Sequence, residues 1–326
     1  VNTTTKGWIA AIGVALLWGT EGSLATMPLQ TIDAKVLVWL RYLIAFSVLC
    51  VVLVVASFAK QQTLTKNQSL TKKPPLTFRW KHRQDILKLA VCGIVGQGLF
   101  SFFSFQSLDY ITISENGVIQ GLVPIAILFV GYLCYGERFS ALQILAVGVA
   151  LCGVTLLVFA PSTDASGLNI GHFYCLMSVM SFASVTHIRA QLADKYGAAC
   201  TMCYQFGFAA IGFLAYLLST DVNIQTALLL AHQPFALTCV MILGLFVSGI
   251  GYLVYIYGIE QVGVDSSSMA LNLMPMSAFF IATTFFDEPV TPLRLFAICL
   301  IIGAMMLFAK PSRTLARSSQ RVVRDS

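Results

Sequence analysis

The chain carries repeated apolar runs near or above the ~18 residues that mark a bilayer-spanning helix, such as 8–27, 36–58 and 235–258. A single soluble core cannot bury so many of them. Charge agrees: 57% of residues are apolar and only 10% charged, against about 25% charged in a soluble domain. Such a chain cannot cover a water-facing surface, so lipid is its matching solvent. The fold class that follows is an all-α membrane protein, with ten transmembrane helices near 8–27, 36–58, 86–108, 115–135, 141–159, 171–189, 200–218, 235–258, 267–286 and 292–309.

The net charge of +6 falls in two basic blocks, at 60–88 and 310–324. Both flank apolar runs, which suits anionic lipid and the positive-inside rule. No nucleic-acid motif accompanies them. With the N-terminus inside, Lys6, the loop 59–85, Arg138, Arg189, Lys195 and the basic tail share the cytoplasmic side. Lys35 and Arg294 then lie near outer loops, and both termini are expected in the cytoplasm, at an inner (plasma) membrane. Lys6 and the apolar run after it imitate a signal peptide, but no polar break with a small-residue cleavage site follows. The run reads as an uncleaved first helix.

The nine cysteines lie in or at the ends of apolar runs and read as small buried hydrophobes. Cys200 and Cys203 form a C-x-x-C without a second pair or nearby His, so no metal is expected. The sequence shows no nucleotide-binding loop, zincin motif or Ser-His-Asp pattern. No cofactor and no enzyme activity are expected, and any work done must draw on a gradient.

The two halves of the sequence echo each other. A shift of 151 residues carries Gly93 onto Gly244, Gly98 onto Gly249, Pro124 onto Pro275, Glu137 onto Glu288 and Leu142 onto Leu293. A shift of 164 carries Gly7 onto Gly171, Trp18 onto Phe182 and Arg41 onto Gln205. A longer basic loop in the first half accounts for the difference. Five helices per half force the halves into opposite orientations, giving two inverted repeats (1–160 and 161–310, then a basic tail at 311–326). Many secondary transporters have this architecture, with the solute site near mid-membrane at the repeat interface.

Trp18-Gly19, the segment from Pro124 through Gly136-Glu137 to Leu142, its counterpart Pro275, Asp287-Glu288 and Leu293, and the glycines Gly148, Gly153 and Gly303 resemble the drug/metabolite transporter superfamily in its EamA-type, ten-helix branch. The likeness spans about 7–309. It implies a transporter of amino acids, drugs or other metabolites, more often an exporter, while some members import vitamins or nucleotide-like compounds. Glu21, directly after Trp-Gly-Thr, departs from what the resemblance leads one to expect.

Several polar residues sit inside apolar helices. An ionised Glu21 there costs about 2.5–3.5 kcal/mol on insertion scales. It should face a cavity, pair with a cation, couple protons, or else sit at the outer interface. Arg41 can pair with Glu21, hold a solute carboxylate, or snorkel to headgroups; its repeat mate is Gln205. His187 and Arg189 read as an interfacial basic cluster, with a proton-relay role open to His187. Glu115, Asn116 and Gln120 open the fourth helix. Asn116 and Gln120 share a face, and with Asn272 they either line a central cavity or bond helices together. Phe100 and Phe103, with Tyr252 and other aromatics of the eighth helix, are candidates for a pocket around a planar solute. Trp18 belongs with them through the resemblance. Glu137 and Glu288 read as structural, each meeting the start of the helix that follows it, with Ser140 and Thr291 as N-caps.

The expectation is a secondary transporter of small organic metabolites (amino-acid-like or amphipathic aromatic solutes, drugs), exporting them by alternating access. Its partners would be a small-molecule substrate, the lipid bilayer and protons as coupling ion, in a monomer or homodimer. Import of a vitamin or nucleotide-like metabolite is the alternative within transport. A membrane-embedded enzyme or a non-transporting scaffold are the competing classes.

Overall fold

The computed structural model describes residues 3–66, 83–136, 141–158, 168–262 and 270–308. All regular structure among them is helical. Helices α1 (Thr3–Gly19) and α2 (Glu21–Leu29) run on through Thr20, whose backbone stays helical. After them comes α3 (Ala34–Lys66). Helix α4 (Arg83–Gly93) passes through a π-helical segment, Ile94–Leu99, into α5 (Phe100–Ser107). Helices α6 (Ile113–Gln120) and α7 (Val123–Tyr135) follow, and then α8 (Ala141–Val158), α9 (Ile170–Tyr196) and α10 (Ala198–Leu218). A single turn, α11 (Thr226–Leu229), leads to α12 (Pro234–Ile242), a second π segment at Leu243–Ile250, and α13 (Gly251–Val262). Helices α14 (Met274–Phe285) and α15 (Pro292–Phe308) complete the described chain.

Among the described residues, five continuous rods are long and apolar enough to cross a membrane: Thr3–Leu29, Ala34–Ala56, Arg83–Ser107, Ala198–Leu218 and Pro234–Val262. The α6–α7 pair, bent by 41°, makes a sixth if counted as one span. The bundle's outside is apolar as well. Ile9, Val55, Phe280 and Phe285 are all more than half exposed, a surface that would drive association in water but suits acyl chains. The largest core lies where α3 packs on α10 and on the second π segment, around Leu37, Tyr42, Leu49, Phe206 and Val247.

Five sequence expectations change. The third, fourth and eighth helices are not uniform rods. The third and eighth hold π segments rich in glycine, where the missing Cβ tolerates a widened turn. The sixth helix runs on to Tyr196, because residues 190–195 keep good helix formers and only Gly197, at φ 84°, ends it. Arg189 therefore sits two turns inside a helix and is buried, not interfacial. Arg294, placed near an outer loop by charge alone, is 1% exposed. Cys134, Cys152 and Cys299 are exposed on the apolar outside of the bundle instead of buried in it.

Close approach sets the helix crossings near the centre. A Cβ on Gly117 of α6 would lie 2.3 Å from the Cβ of Ala278 in α14. Only glycine allows that contact, which brings a helix of the C-terminal part against one of the N-terminal part.

Candidate functional site

Where α1 meets α2, the chain turns a Trp and a Glu into a central cavity of about 130 Å³. Its walls come from α1 to α3, α5, α6, α9, α13 and the start of α14. Glu21 begins α2, and Arg41 reaches it from α3. The pair is bidentate: Arg41 Nη1 donates to Glu21 Oε1 at 2.5 Å, and Nη2 donates to Oε2 at 3.0 Å. Arg41 Nε also donates to Ser248 Oγ at 2.7 Å, and Nη1 donates to Ser101 Oγ at 3.2 Å. The Arg41 side chain is 4% exposed and that of Glu21 16%, so the carboxylate is the member that opens to the cavity. The snorkelling and outer-interface readings of these two residues give way to a buried ion pair. A fork-to-fork geometry holds both charges where a lone one would be expelled.

A polar chain continues from this pair. The Tyr42 hydroxyl donates to the Gln97 carbonyl at 3.0 Å and lies 2.6 Å from Ser101 Oγ. Gln97 Nε2 donates to the Tyr252 hydroxyl at 3.5 Å. Trp18 Nε1 donates to the Val247 carbonyl at 2.9 Å, and its ring rests on Tyr252 at 4.9 Å. Each π segment thus gives a backbone carbonyl to an aromatic side chain, which satisfies acceptors that the widened turn displaces.

On the α6 wall, Asn116 Nδ2 donates to the Ser104 carbonyl at 3.0 Å and to Ser107 Oγ at 2.7 Å. Gln120 Nε2 donates to Ser178 Oγ at 2.9 Å, while its buried Oε1 has no partner among the described residues. That oxygen is a free acceptor on a residue lining the cavity. Phe100 and Phe182 close another side, with ring centroids 5.2 Å apart.

Of the residues singled out from sequence, Trp18, Glu21, Arg41, Phe100, Asn116, Gln120 and Tyr252 line this one cavity. Phe103 does not; it stacks on Tyr174 at 6.2 Å. His187 stacks on Tyr135 at 4.5 Å, away from the lining. Gln205 is fully buried behind the cavity, its Oε1 accepting from Arg189 Nε at 3.0 Å. The backbone of Asn272 lies in a 3₁₀ turn, Leu271–Leu273, beside the cavity; its side chain lies outside the described set. Ser104, Phe182 and Met274 line the cavity without having been singled out. Phe182 carried a signal, since the 164-residue shift places it on Trp18. The serine carries none, because one small polar residue in an apolar helix looks like another.

Glu115 and Glu288 take other roles. Thr112 and Glu115 form a reciprocal capping box at the start of α6, and Arg294 Nη2 donates to Glu115 Oε1 at 3.0 Å. Glu288 accepts from the backbone N–H groups of Ile113 (2.7 Å) and Ser114, and from the Ser114 hydroxyl. Glu288 does meet a helix N-terminus, but that of α6 and not of the helix after it. Thr291 alone caps α15, accepting from the Arg294 N–H at 3.2 Å. Glu137 and Ser140 lie outside the described residues. At another end of the bundle, Asp85 binds Lys195 and the Tyr196 hydroxyl. Donating to the Asp85 carboxylate raises the Lys195 ammonium above its ordinary pKa.

An apolar helical bundle around a partly polar central cavity fits a membrane transporter. The sequence profile of the EamA-like transporter family matches residues 5–159 and 169–309, and the chain belongs to that family. Its members are transporters rather than enzymes. The "Probable terminal-alkyne amino-acid exporter" of Streptantibioticus cattleyicolor is 25% identical over 74% of this chain and 79% of its own. The "Uncharacterized inner membrane transporter YicL" of Salmonella typhimurium is 21% identical over 98% of this chain and 100% of its own. The "Uncharacterized transporter YetK" of Bacillus subtilis is 22% identical over 69% of this chain and 68% of its own. A solved crystal structure superposes with a TM-score of 0.57 at 17% identity, covering 93% of this chain and 98% of that one, a likeness of fold.

Proposed function

We propose that the protein is a secondary carrier that exports small organic solutes, amino-acid-like or amphipathic, across the inner membrane by alternating access. The observation that carries this reading is the central cavity, with a bidentate Glu21–Arg41 pair and the free Gln120 oxygen set among aromatic rings. Such a lining combines apolar area with a few fixed polar groups, the usual make-up of a small-molecule site. Export and an amino-acid-like solute are supported by what one relative is named to carry.

Two inverted halves, 1–160 and 161–310, are supported by register and packing. The 151-residue shift carries the start of α7 onto that of α14 and the start of α8 onto that of α15. It also brings the two π segments into near register. Contacts come in matching sets: α1 packs on α13 as α9 packs on α5, and α8 packs on its own counterpart α15. Rocking one half against the other would expose the cavity to alternate sides. Both termini, with the basic tail at 311–326, face the cytoplasm in this arrangement, and Glu21 takes and releases a coupling proton as its bond to Arg41 breaks and re-forms.

The test is comparative metabolomics of medium and cytosol, with intact protein and with Glu21→Gln expressed at equal level. Solutes enriched outside only with the intact protein support export. Enrichment inside, after feeding vitamins and nucleotides, favours import. No redistribution from a folded, inserted protein sinks the carrier reading. Transport and pH dependence unchanged in Glu21→Gln remove the proton-coupling role.

A further inference from the structure

Among the described residues, Arg189 is a buried cation without a counter-charge. It is 7% exposed. Its Nε donates to Gln205 Oε1 at 3.0 Å, its Nη2 donates to the Gly96 carbonyl at 3.3 Å, and its guanidinium lies 4.4 Å from the centroid of the Phe182 ring. All three partners are neutral. Among the described residues no carboxylate stands within ion-pair distance of it. A guanidinium has five donors, and burying one against neutral acceptors leaves much of its desolvation cost uncompensated. Gln205 adds a further donor: its Nε2 is fully buried and has no partner among the described residues. An unused amide donor thus sits beside a guanidinium whose recorded partners are all neutral.

This cluster lies against the cavity. Phe182, whose ring the guanidinium covers, is a lining residue. The polar chain from Arg41 through Ser101, Tyr42 and Gln97 leads into the π segment whose Gly96 carbonyl holds Arg189. Gly96 is itself a requirement of the arrangement, since a Cβ there would lie 2.8 Å from Arg189 Nη2. The halves also differ in an informative way. In the first, Arg41 is answered by the Glu21 carboxylate. In the second, Arg189 meets the amide of Gln205, the residue that the 164-residue shift places on Arg41. Across Glu21, Arg41 and Arg189, the connected set is one negative charge short.

We propose that Arg189 and Gln205 form an anion-recognising subsite, and that the transported solute bears a carboxylate that supplies the missing charge when Phe182 turns aside. This rests on the carrier reading above. It deepens that reading by making a carboxylate the group that selects the solute, and Arg189 the residue that selects it.

The test uses the full chain in proteoliposomes and in detergent, with matched acid and amide probes: L-norvaline and L-norvalinamide, L-phenylalanine and L-phenylalaninamide. Uptake and ligand-induced thermal stabilisation are read for each. The wild type should favour acids over amides by roughly tenfold or more, the scale of one charge-assisted contact. Arg189→Gln should abolish that preference and Arg189→Lys should keep part of it. Gln205→Glu guards against a misfolded Arg189→Gln. Its internal carboxylate should raise the ligand-free melting temperature and weaken acid uptake by about tenfold. Amides handled as well as acids, or an acid preference untouched by Arg189→Gln and Gln205→Glu, would overturn the carboxylate subsite and leave the carrier reading standing. Acids and amides both ignored, while cells still redistribute other solutes, would also overturn the subsite alone. Loss of that redistribution as well would take down both.

Discussion

Removing one member of the Glu21–Arg41 pair should cost far more than the interhelical hydrogen bonds typical of membrane proteins. Breaking a buried ion pair from one side costs about 3–5 kcal/mol, against about 0.6 kcal/mol for an average interhelical hydrogen bond in a bilayer. Glu21→Gln leaves Arg41 charged, 3% exposed and hydrogen-bonded to the neutral Ser248 and Ser101. These two serines place the loss at the lower end, about 3 kcal/mol. Arg41→Gln leaves the more open carboxylate, which can take up water from the cavity or a proton, so a loss of about 2 kcal/mol is expected. With both replaced by Gln no charge remains to be stranded. The double variant should therefore lose about 2–3 kcal/mol instead of the sum, a coupling of about 2–3 kcal/mol. Reversible unfolding in mixed micelles, run on all four proteins, reads this cycle directly. Single losses below about 1 kcal/mol that add within about 0.5 kcal/mol would mean the pair carries no interaction energy. Arg41 would then be reaching headgroups after all.

Three further outcomes follow from the packing. Glu288→Gln weakens the charged cap on α6 and should cost about 1–2 kcal/mol. Hydrogen exchange should quicken at the Ile113 and Ser114 amides, and unchanged protection there would refute the capping role. Gly117→Ala puts a methyl 2.3 Å from the Ala278 Cβ and should cost about 1–3 kcal/mol by overpacking. Ala278→Gly in the same chain should restore most of it, and a failure to restore would mean α6 and α14 do not meet there. The Lys195 ammonium is raised above 10.5 by the hydrogen bond it donates to Asp85. A raised folded-state pKa gives stability that is fully present below the unfolded value and lost as pH rises through the folded one. Asp85→Asn should therefore lower the melting temperature at neutral pH, with the gap closing in strongly alkaline buffer; a gap independent of pH would argue against the ion pair.

Much of the architecture was legible from the chain because bilayer physics writes it in one dimension. Spanning helices need long apolar runs, so the rods at Thr3–Leu29, Ala34–Ala56 and Pro234–Val262 stood out without tertiary information. Glu21 and Arg41 stood out for the same reason: a charge in an apolar run is costly and demands a partner. The 164-residue shift that sets Trp18 on Phe182 and Arg41 on Gln205 was also readable, since it depends only on order along the chain.

What only the tertiary structure decided is how those residues meet. Apolar periodicity does not register a π turn, because it leaves composition unchanged and moves only the hydrogen-bond register; both π segments therefore came as findings. Glu288 looked local because its nearest helix start in sequence is its own, yet it caps α6, 175 residues away. Arg189 looked interfacial because charge counting places arginine at helix ends, while the continuation of α9 to Tyr196 and the close approach at Gly96 bury it against Gln205. A bilayer selects residue types by depth, which a sequence records. Pairing across helices is selected by geometry in three dimensions, and that appears only once the chain is packed.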